Sequence, residues 1–229
     1  MPNWNHNTLT ITGPEPAIEF FRDQAKTDEQ PLSFARFVPE PTEDEYAAMD
    51  DARKTDCWIC GGRGKRPRTQ EEADSLGVPF HPNVVPEDAD LDDAKPCNVC
   101  GGTGKALPSM AGNAWYNWRL ENWGCKWDAS FGEPFFAIGS EEMDVEATVE
   151  ALGGVVTPTT LIYKFDTPWG PPTEFLHTVA PRFPSLNFEL KYGEPGNDFA
   201  GRIVYEKGEL AIEEELDVDE VLMPEERWF

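Results

Sequence analysis

Leu9 and Ile11 share one face of the stretch Thr8 to Thr12, the period of two that marks a half-buried strand. Beyond Gly13-Pro14 the period changes: Ala17, Ile18, Phe21 and Ala25 recur at helical spacing and predict a helix. Leu32 to Val38 reads as a second strand in which Phe34 and Phe37 break the alternation at a bulge, with Pro39 and Pro41 ending it. The opening of the chain is thus expected to be β-α-β.

A matching pattern lies toward the other end. Leu161, Tyr163 and Phe165 alternate with Ile162, Lys164 and Asp166 up to the breaker TPWGPP, where Pro171 and Pro172 suit the first turn of a helix. Phe175, Leu176, Val179 and Phe183 fall on one helical face, and Leu186, Phe188, Leu190 and Tyr192 then give the cleanest alternation in the chain. Gly193 to Gly201 is turn-rich, and Gly201 to Glu206 reads as a last strand. Between the halves, a Trp-rich helix is expected over Ala111 to Asn122, and Val145, Val149 and Leu152 share the face of another, stopped at Gly153-Gly154. Two β-α-β units in series describe an α+β, ferredoxin-like βαβ-βαβ sandwich with an antiparallel sheet. The expected division is a split domain, 1–50 with 106–206, a zinc knuckle insertion with an acidic loop over 51–105, and an acidic C-terminal tail over 207–229.

The insertion carries the chemistry. CWICGGRGK at Cys57 to Lys65 and CNVCGGTGK at Cys97 to Lys105 differ only in the residues between the cysteines and in the one between the later glycines. A Cys-x-x-Cys turn aims two sulfurs at one ion, and the following glycines permit the positive φ such a turn needs. Two turns supply four thiolates, the donor set of tetrahedral structural zinc with Zn–S of roughly 2.3 Å and no open position. Cys57, Cys60, Cys97 and Cys100 are the expected ligands of one Zn2+. The 36 residues between Cys60 and Cys97 exceed the roughly 15–20 of a compact ribbon. The cost of closing a loop, however, grows only slowly with its length. A redox dithiol and an iron–sulfur cluster use the same residues and stand as alternatives.

Composition narrows the partners. With 43 acidic against 19 basic residues, a formal net charge of -24 opposes nonspecific binding to phosphate backbones and anionic membranes. The balance is uneven: Arg53, Lys54, Arg63, Lys65, Arg66 and Arg68 crowd the first knuckle, acidic residues fill the loop after it, and Glu213 to Glu220 form a second acidic run. No basic segment followed by an apolar one opens the chain, and no run of about 18 apolar residues occurs, so a cytoplasmic protein is expected. Such a compartment keeps thiols reduced and favours metal ligation over a disulfide frame.

The segment AWYNWRLENWGCKWD places Trp115, Trp118, Trp123 and Trp127 within thirteen residues. One reading packs these rings against the sheet. The other makes Trp115, Trp118, Trp123, Lys126, Trp127 and Asp128 a binding edge for a partner or ligand. Cys125 is then a small buried residue or a reactive thiol, burial being the commoner fate.

Two resemblances follow from these residues. The knuckles look like the CxxCxGxG repeats of the DnaJ-type zinc region, where four repeats bind two zincs, so two repeats imply one. No HPD-bearing J-domain signature accompanies them, and co-chaperone activity is not implied. NWNHNTLTITGP at Asn3 to Pro14, WYNWRLENWGCKWD at Trp115 to Asp128, the TPWGPP turn and FPSLNFELKYGEPGNDFAG at Phe183 to Gly201 together resemble the YubB-type ferredoxin-like family of phage and plasmid accessory proteins. The chain departs from that family at Asn5, where a Cys is commoner, and at Cys125, where a Thr is expected. The resemblance implies the fold and a mobile-element origin, and brings no activity.

No nucleophile–base pair, P-loop, dinucleotide fingerprint or Gly-x-Ser-x-Gly elbow appears, and His6, His81 and His177 join no recognisable motif. The expected function is non-enzymatic: a zinc-stabilised accessory protein that binds a host or mobile-element protein, in anti-defence or host regulation, with an acidic surface imitating DNA. The alternatives are single-stranded nucleic-acid binding through the basic knuckle, with Trp58 stacking a base, and an enzyme built on the ferredoxin-like scaffold.

Overall fold

The computed structural model describes residues 3–62, 64, 71, 74–75, 96–108, 113–131, 149–150 and 154–222. The chain divides into two compact units, Met1–Glu40 with Tyr116–Phe229, and Pro41–Trp115.

The first unit is built on a six-stranded sheet of order β4-β5-β1-β6-β7-β8 in which every neighbouring pair is antiparallel. Its strands are β1 (Trp4–Thr12), β4 (Val155–Thr157), β5 (Thr160–Pro168), β6 (Asn187–Glu194), β7 (Phe199–Glu206) and β8 (Glu209–Leu216). β5 and β6 flank β1, both antiparallel to it, so they run parallel to each other and are joined through α4 (Thr173–Val179). That is the split β-α-β unit of a ferredoxin-like α+β domain.

One face of the sheet is apolar. Leu9, Ile11, Leu161, Tyr163, Phe165, Phe188, Leu190 and Ile203 point to it and pack with Ile18, Phe21 and Ala25 of α1 (Glu15–Ala25) and with Phe175, Leu176 and Val179 of α4. Each such side chain contributes about 1.5–3 kcal/mol when fully buried. Phe21 stacks on Phe37 at 4.9 Å and Phe34 lies 4.4 Å from Phe175, ring centre to ring centre.

Three expectations are corrected here. Leu32 to Val38 is no strand: Phe34–Arg36 is a 3-10 turn, and the segment buries Leu32, Ser33, Phe34, Phe37 and Val38. The three-residue spacing of Phe34 and Phe37, read as a bulge, is that of one turn of helix sending both rings into the core. β1 starts at Trp4 rather than Thr8, because Asn5 and Asn7 continue the inward alternation as buried polar residues. Asn7 Nδ2 donates to Thr167 Oγ1 at 2.9 Å and to Asn5 O at 3.0 Å, and Asn5 Nδ2 donates to Asn7 Oδ1 at 2.7 Å. Of the tail expected from residue 207, the described part is a strand and a turn of helix. Lys207 and Gly208, at φ 55 and 81, form a two-residue hairpin with Glu206 opposite Glu209, and β8 continues to Leu216 before α5 (Val218–Val221). Positive φ at both central residues matches the right-handed twist of the flanking strands. The glutamates of β8 are exposed, and their like charges disfavour pairing of that strand with another copy.

In the second unit, α2 (Glu43–Arg53) opens with a capping box between Thr42 and Glu45. β2 (Thr55–Asp56) pairs with β3 (Lys105–Ala106), so the chain enters and leaves the double-knuckle segment through one short ladder, which Lys105 Nζ closes on Asp56 Oδ1 at 2.6 Å. Of the helix expected around Val145, Val149 and Leu152, only Val149 is described, and it is buried. The basic residues Arg63, Lys65, Arg66 and Arg68 and, apart from Glu71 and Asp74, the acidic residues of the loop lie outside the described residues. Among the described residues no helix is long and apolar enough to cross a membrane.

Candidate metal centre

The two knuckles repeat in geometry as they do in sequence. Gly61, Gly62 and Gly64 have φ of 57, 80 and 76, and Gly101, Gly102 and Gly104 have 58, 90 and 78. Cys57 N–H donates to Gly104 O at 2.8 Å, and Cys97 N–H donates to Gly64 O at 2.8 Å. Each turn thus supplies the acceptor that starts the other, an approximate two-fold relation. The backbones approach so closely that a Cβ on Gly64 would run into Gly102 O, and one on Gly104 into Gly62 O. Glycine is required at 64 and 104 for both conformation and space.

The four sulfurs converge. Cys57 Sγ lies 3.8 Å from Cys97 Sγ, and Cys60 Sγ lies 3.8 Å from Cys100 Sγ. All four sulfurs fall within 4.8 Å of one another, and all four cysteines are buried and free of disulfides. A tetrahedron with metal–sulfur bonds of roughly 2.3 Å has edges of roughly 3.8 Å, so the set has the dimensions of a metal-ion site. Gly64 N–H donates to Cys60 Sγ at 3.3 Å, an outer-shell bond of the kind that orients thiolate ligands. Among the described residues, Ile59 and Ala106 join the four cysteines in one buried cluster. Without an ion the thiols differ sharply. Burial pushes Cys57 up to about 12. At Cys100 burial acts in the same sense but is outweighed by backbone hydrogen bonds at Gly104 and Gly102 and by Cys97 and Cys60, which leave it lowered to about 7. Of these two, Cys100 is the readier to offer a thiolate.

The residues between the cysteines differ. Ile59 is buried, its counterpart Val99 is 42% exposed, and Trp58 stands 40% exposed.

The tryptophan segment serves mainly the core. α3 (Ala114–Trp123) ends at Gly124, whose φ of 86 lets its N–H reach Leu120 O at 3.1 Å. Trp123, expected at a binding edge, is 1% exposed: its Nε1 donates to Val38 O at 3.1 Å and its ring meets Phe34 and Trp118 edge-on. Arg119 covers the same ring at 5.4 Å and grips Glu40 with two bonds of 2.8 and 2.9 Å. Asp128, also expected at the edge, faces inward. It accepts from Ser33 Oγ at 2.6 Å, Phe34 N–H at 2.7 Å and Ala129 N–H at 2.7 Å, holding the 3-10 turn in place of a strand. Burial raises its pKa above the ordinary carboxylate value despite those bonds. Trp115 and Trp118 are half-buried. Of the six residues, Lys126 and Trp127 keep an outward role, the ammonium 4.5 Å above the ring and Trp127 tilted on Trp4 at 6.3 Å. Cys125 is fully buried, and that burial, with the nearby Asp128 charge, pushes its thiol up, away from reactivity. The inward roles of Trp123 and Asp128 depend on the 3-10 turn at Phe34, which alternation had disguised.

Residues 138–226, from before β4 to beyond α5, match the family model described as the ferredoxin-like domain in Api92-like protein. That description names a fold and no reaction. The crystal structure of protein api92 from Yersinia pseudotuberculosis is 12% identical in sequence, with 94% of this chain and 98% of that one covered at a TM-score of 0.42. No curated protein matches.

Proposed function

We propose that Cys57, Cys60, Cys97 and Cys100 hold one structural Zn2+, and that the chain is a phage- or plasmid-type accessory protein acting in the cytoplasm by binding a host or mobile-element protein. The observation that carries this reading is the closed set of four buried sulfurs at tetrahedral spacing, with Trp58 and Val99 exposed beside it. Four thiolates leave no position for water or substrate, so the ion's work is to hold the two turns together and present those side chains. Zinc suits four thiolates in a tetrahedron and brings no redox chemistry of its own. An exposed tryptophan on a turn fixed by metal is a preorganised anchor for a partner, ordered before binding occurs. The net charge of -24 favours a basic protein partner over nucleic acid and fits anti-defence or regulatory binding by a surface imitating DNA.

Elemental analysis of protein purified without chelator should return one zinc per chain. Immobilised zinc-loaded protein should retain a basic host protein that the Trp58→Ala variant releases. Iron with inorganic sulfide, or turnover of a nucleotide or peptide with no retained partner, would overturn the reading. A second reading rests on the same exposed Trp58 ring, which has the form of a stacking platform for single-stranded nucleic acid. Labelled single-stranded RNA and DNA at low salt decide between the two.

A further inference from the structure

The sheet face turned away from α1 and α4 carries a cavity of about 260 Å3 in the first unit. The strand register lays out its floor. His6 of β1 stands opposite Asp166 of β5 and Gly193 of β6. Two positions on, Thr8 stands opposite Lys164 and Lys191. Directly opposed residues of antiparallel strands share a face, so His6, Thr8, Lys164, Asp166 and Lys191 lie on one side. Ser130 extends the row from beyond β5: its N–H donates to Asp166 O at 3.0 Å and its carbonyl accepts from Asp166 N–H at 2.8 Å. Phe131, Val221 and Leu222 form an apolar wall. Leu222 comes down over Gly193, where an added Cβ would sit 3.0 Å from its Cγ.

The local charge runs against that of the chain. Two lysines and a histidine line a cavity whose carboxylate, Asp166, is engaged by His6 Nδ1 at 2.7 Å. A carboxylate only accepts, so His6 Nδ1 is the donor of that bond. Glu189 is taken up by Arg202 Nε at 2.6 Å, which leaves Lys191 Nζ only a long ion pair to it at 3.9 Å. Lys164 makes no ion pair among the described residues. With strands spaced by roughly 4.8 Å, the two lysine backbones stand roughly 10 Å apart with Thr8 between them, a span that two flexible ammonium arms close around one group.

We propose that this cavity binds a phosphomonoester, its phosphate held by Lys164 and Lys191 with the Thr8 hydroxyl, beside the His6 ring, and its organic part against Phe131, Val221 and Leu222. Two point cations and a hydroxyl donor around a central position suit a tetrahedral dianion, and the volume exceeds what phosphate alone fills.

The test uses the zinc-loaded full chain and the ring C–H resonances of its three histidines. His177, held by Tyr205 Oη at 2.8 Å and outside the cavity, is the internal reference. Titration with inorganic phosphate and with adenosine monophosphate should shift His6 saturably and leave His177 in place, the ester binding more tightly than phosphate. The Lys164→Ala, Lys191→Ala double variant, both changes at solvent-reaching strand positions, should weaken binding about tenfold or more with unchanged circular dichroism. Equal shifts at both histidines, no His6 shift up to about 20 mM of either probe, or binding that survives the double variant would each overturn the proposal.

Discussion

The two units of this chain reach order by opposite routes. The sheet unit buries a continuous core running from Leu9 to Tyr205, in which rings such as Phe21, Phe34 and Phe175 interlock. Among the described residues the knuckle cluster buries four cysteines, one isoleucine and one alanine, and owes its geometry to glycine turns that complete each other's hydrogen bonds. A cluster of six small or medium side chains buries little apolar surface to set against the entropy of ordering the turns around it, so a further constraint counts for more there. A core is tolerant of local loss because many contacts share the load. A knuckle depends on a few atoms, each of them decisive.

Removing the proposed zinc should break this comparison most sharply. Structural zinc in such a site contributes about 10–16 kcal/mol of apparent binding free energy at neutral pH. A strong chelator, or the Cys97→Ser, Cys100→Ser double variant, should abolish the ordered knuckle unit in amide exchange while the amides of β1, β5 and β6 stay protected. Phe34→Ala should do the reverse: about 3–5 kcal/mol lost from the denaturant unfolding of the sheet unit, with zinc content unchanged.

Smaller effects sharpen the contrast inside each unit. Gly64→Ala meets both a φ of 76 and the carbonyl of Gly102, whereas Gly101→Ala, at a φ of 58, meets open space. The first should weaken zinc binding by several kcal/mol and the second by about 1 kcal/mol, read as a difference in chelator competition. Asp128→Ala should cost about 1–3 kcal/mol by freeing the donors of Ser33 and Phe34. The sign of its pH dependence follows from the raised pKa of Asp128. Its stabilising share is complete below the ordinary carboxylate pKa and declines as pH rises through the higher folded value. The gap between wild type and variant in urea midpoint should therefore be wider near about pH 3 than at neutrality.

The legible parts of the molecule were those where apolar residues alone set the period. β5, β6 and α4 follow from Leu161 to Phe165, from Phe188 to Tyr192, and from Phe175 to Val179, because each buries one clean face. The cysteine quartet was equally plain, since doubling of a nine-residue motif constrains its own geometry. What escaped had polar atoms doing the work of a core. Asn5 and Asn7 hide the first half of β1, and Asp128, ninety-four positions from Phe34, turns an apparent strand into a 3-10 turn by a contact no local pattern contains. β8 was missed for another reason. Its glutamates look like a solvated run, and only Lys207-Gly208, between Ile203 and the pair Leu210 and Ile212, signals a hairpin. The pair His6–Asp166 joins residues 160 positions apart and becomes visible only once β1 and β5 are in register.

The short ladder of Thr55–Asp56 with Lys105–Ala106 makes the double knuckle a cassette. Its two ends leave the parent chain side by side, so a turn of a few residues joining Asp56 to Lys105 would seal the excision as an ordinary hairpin. The same suture would accept other cargo of any length, provided that its own ends come together.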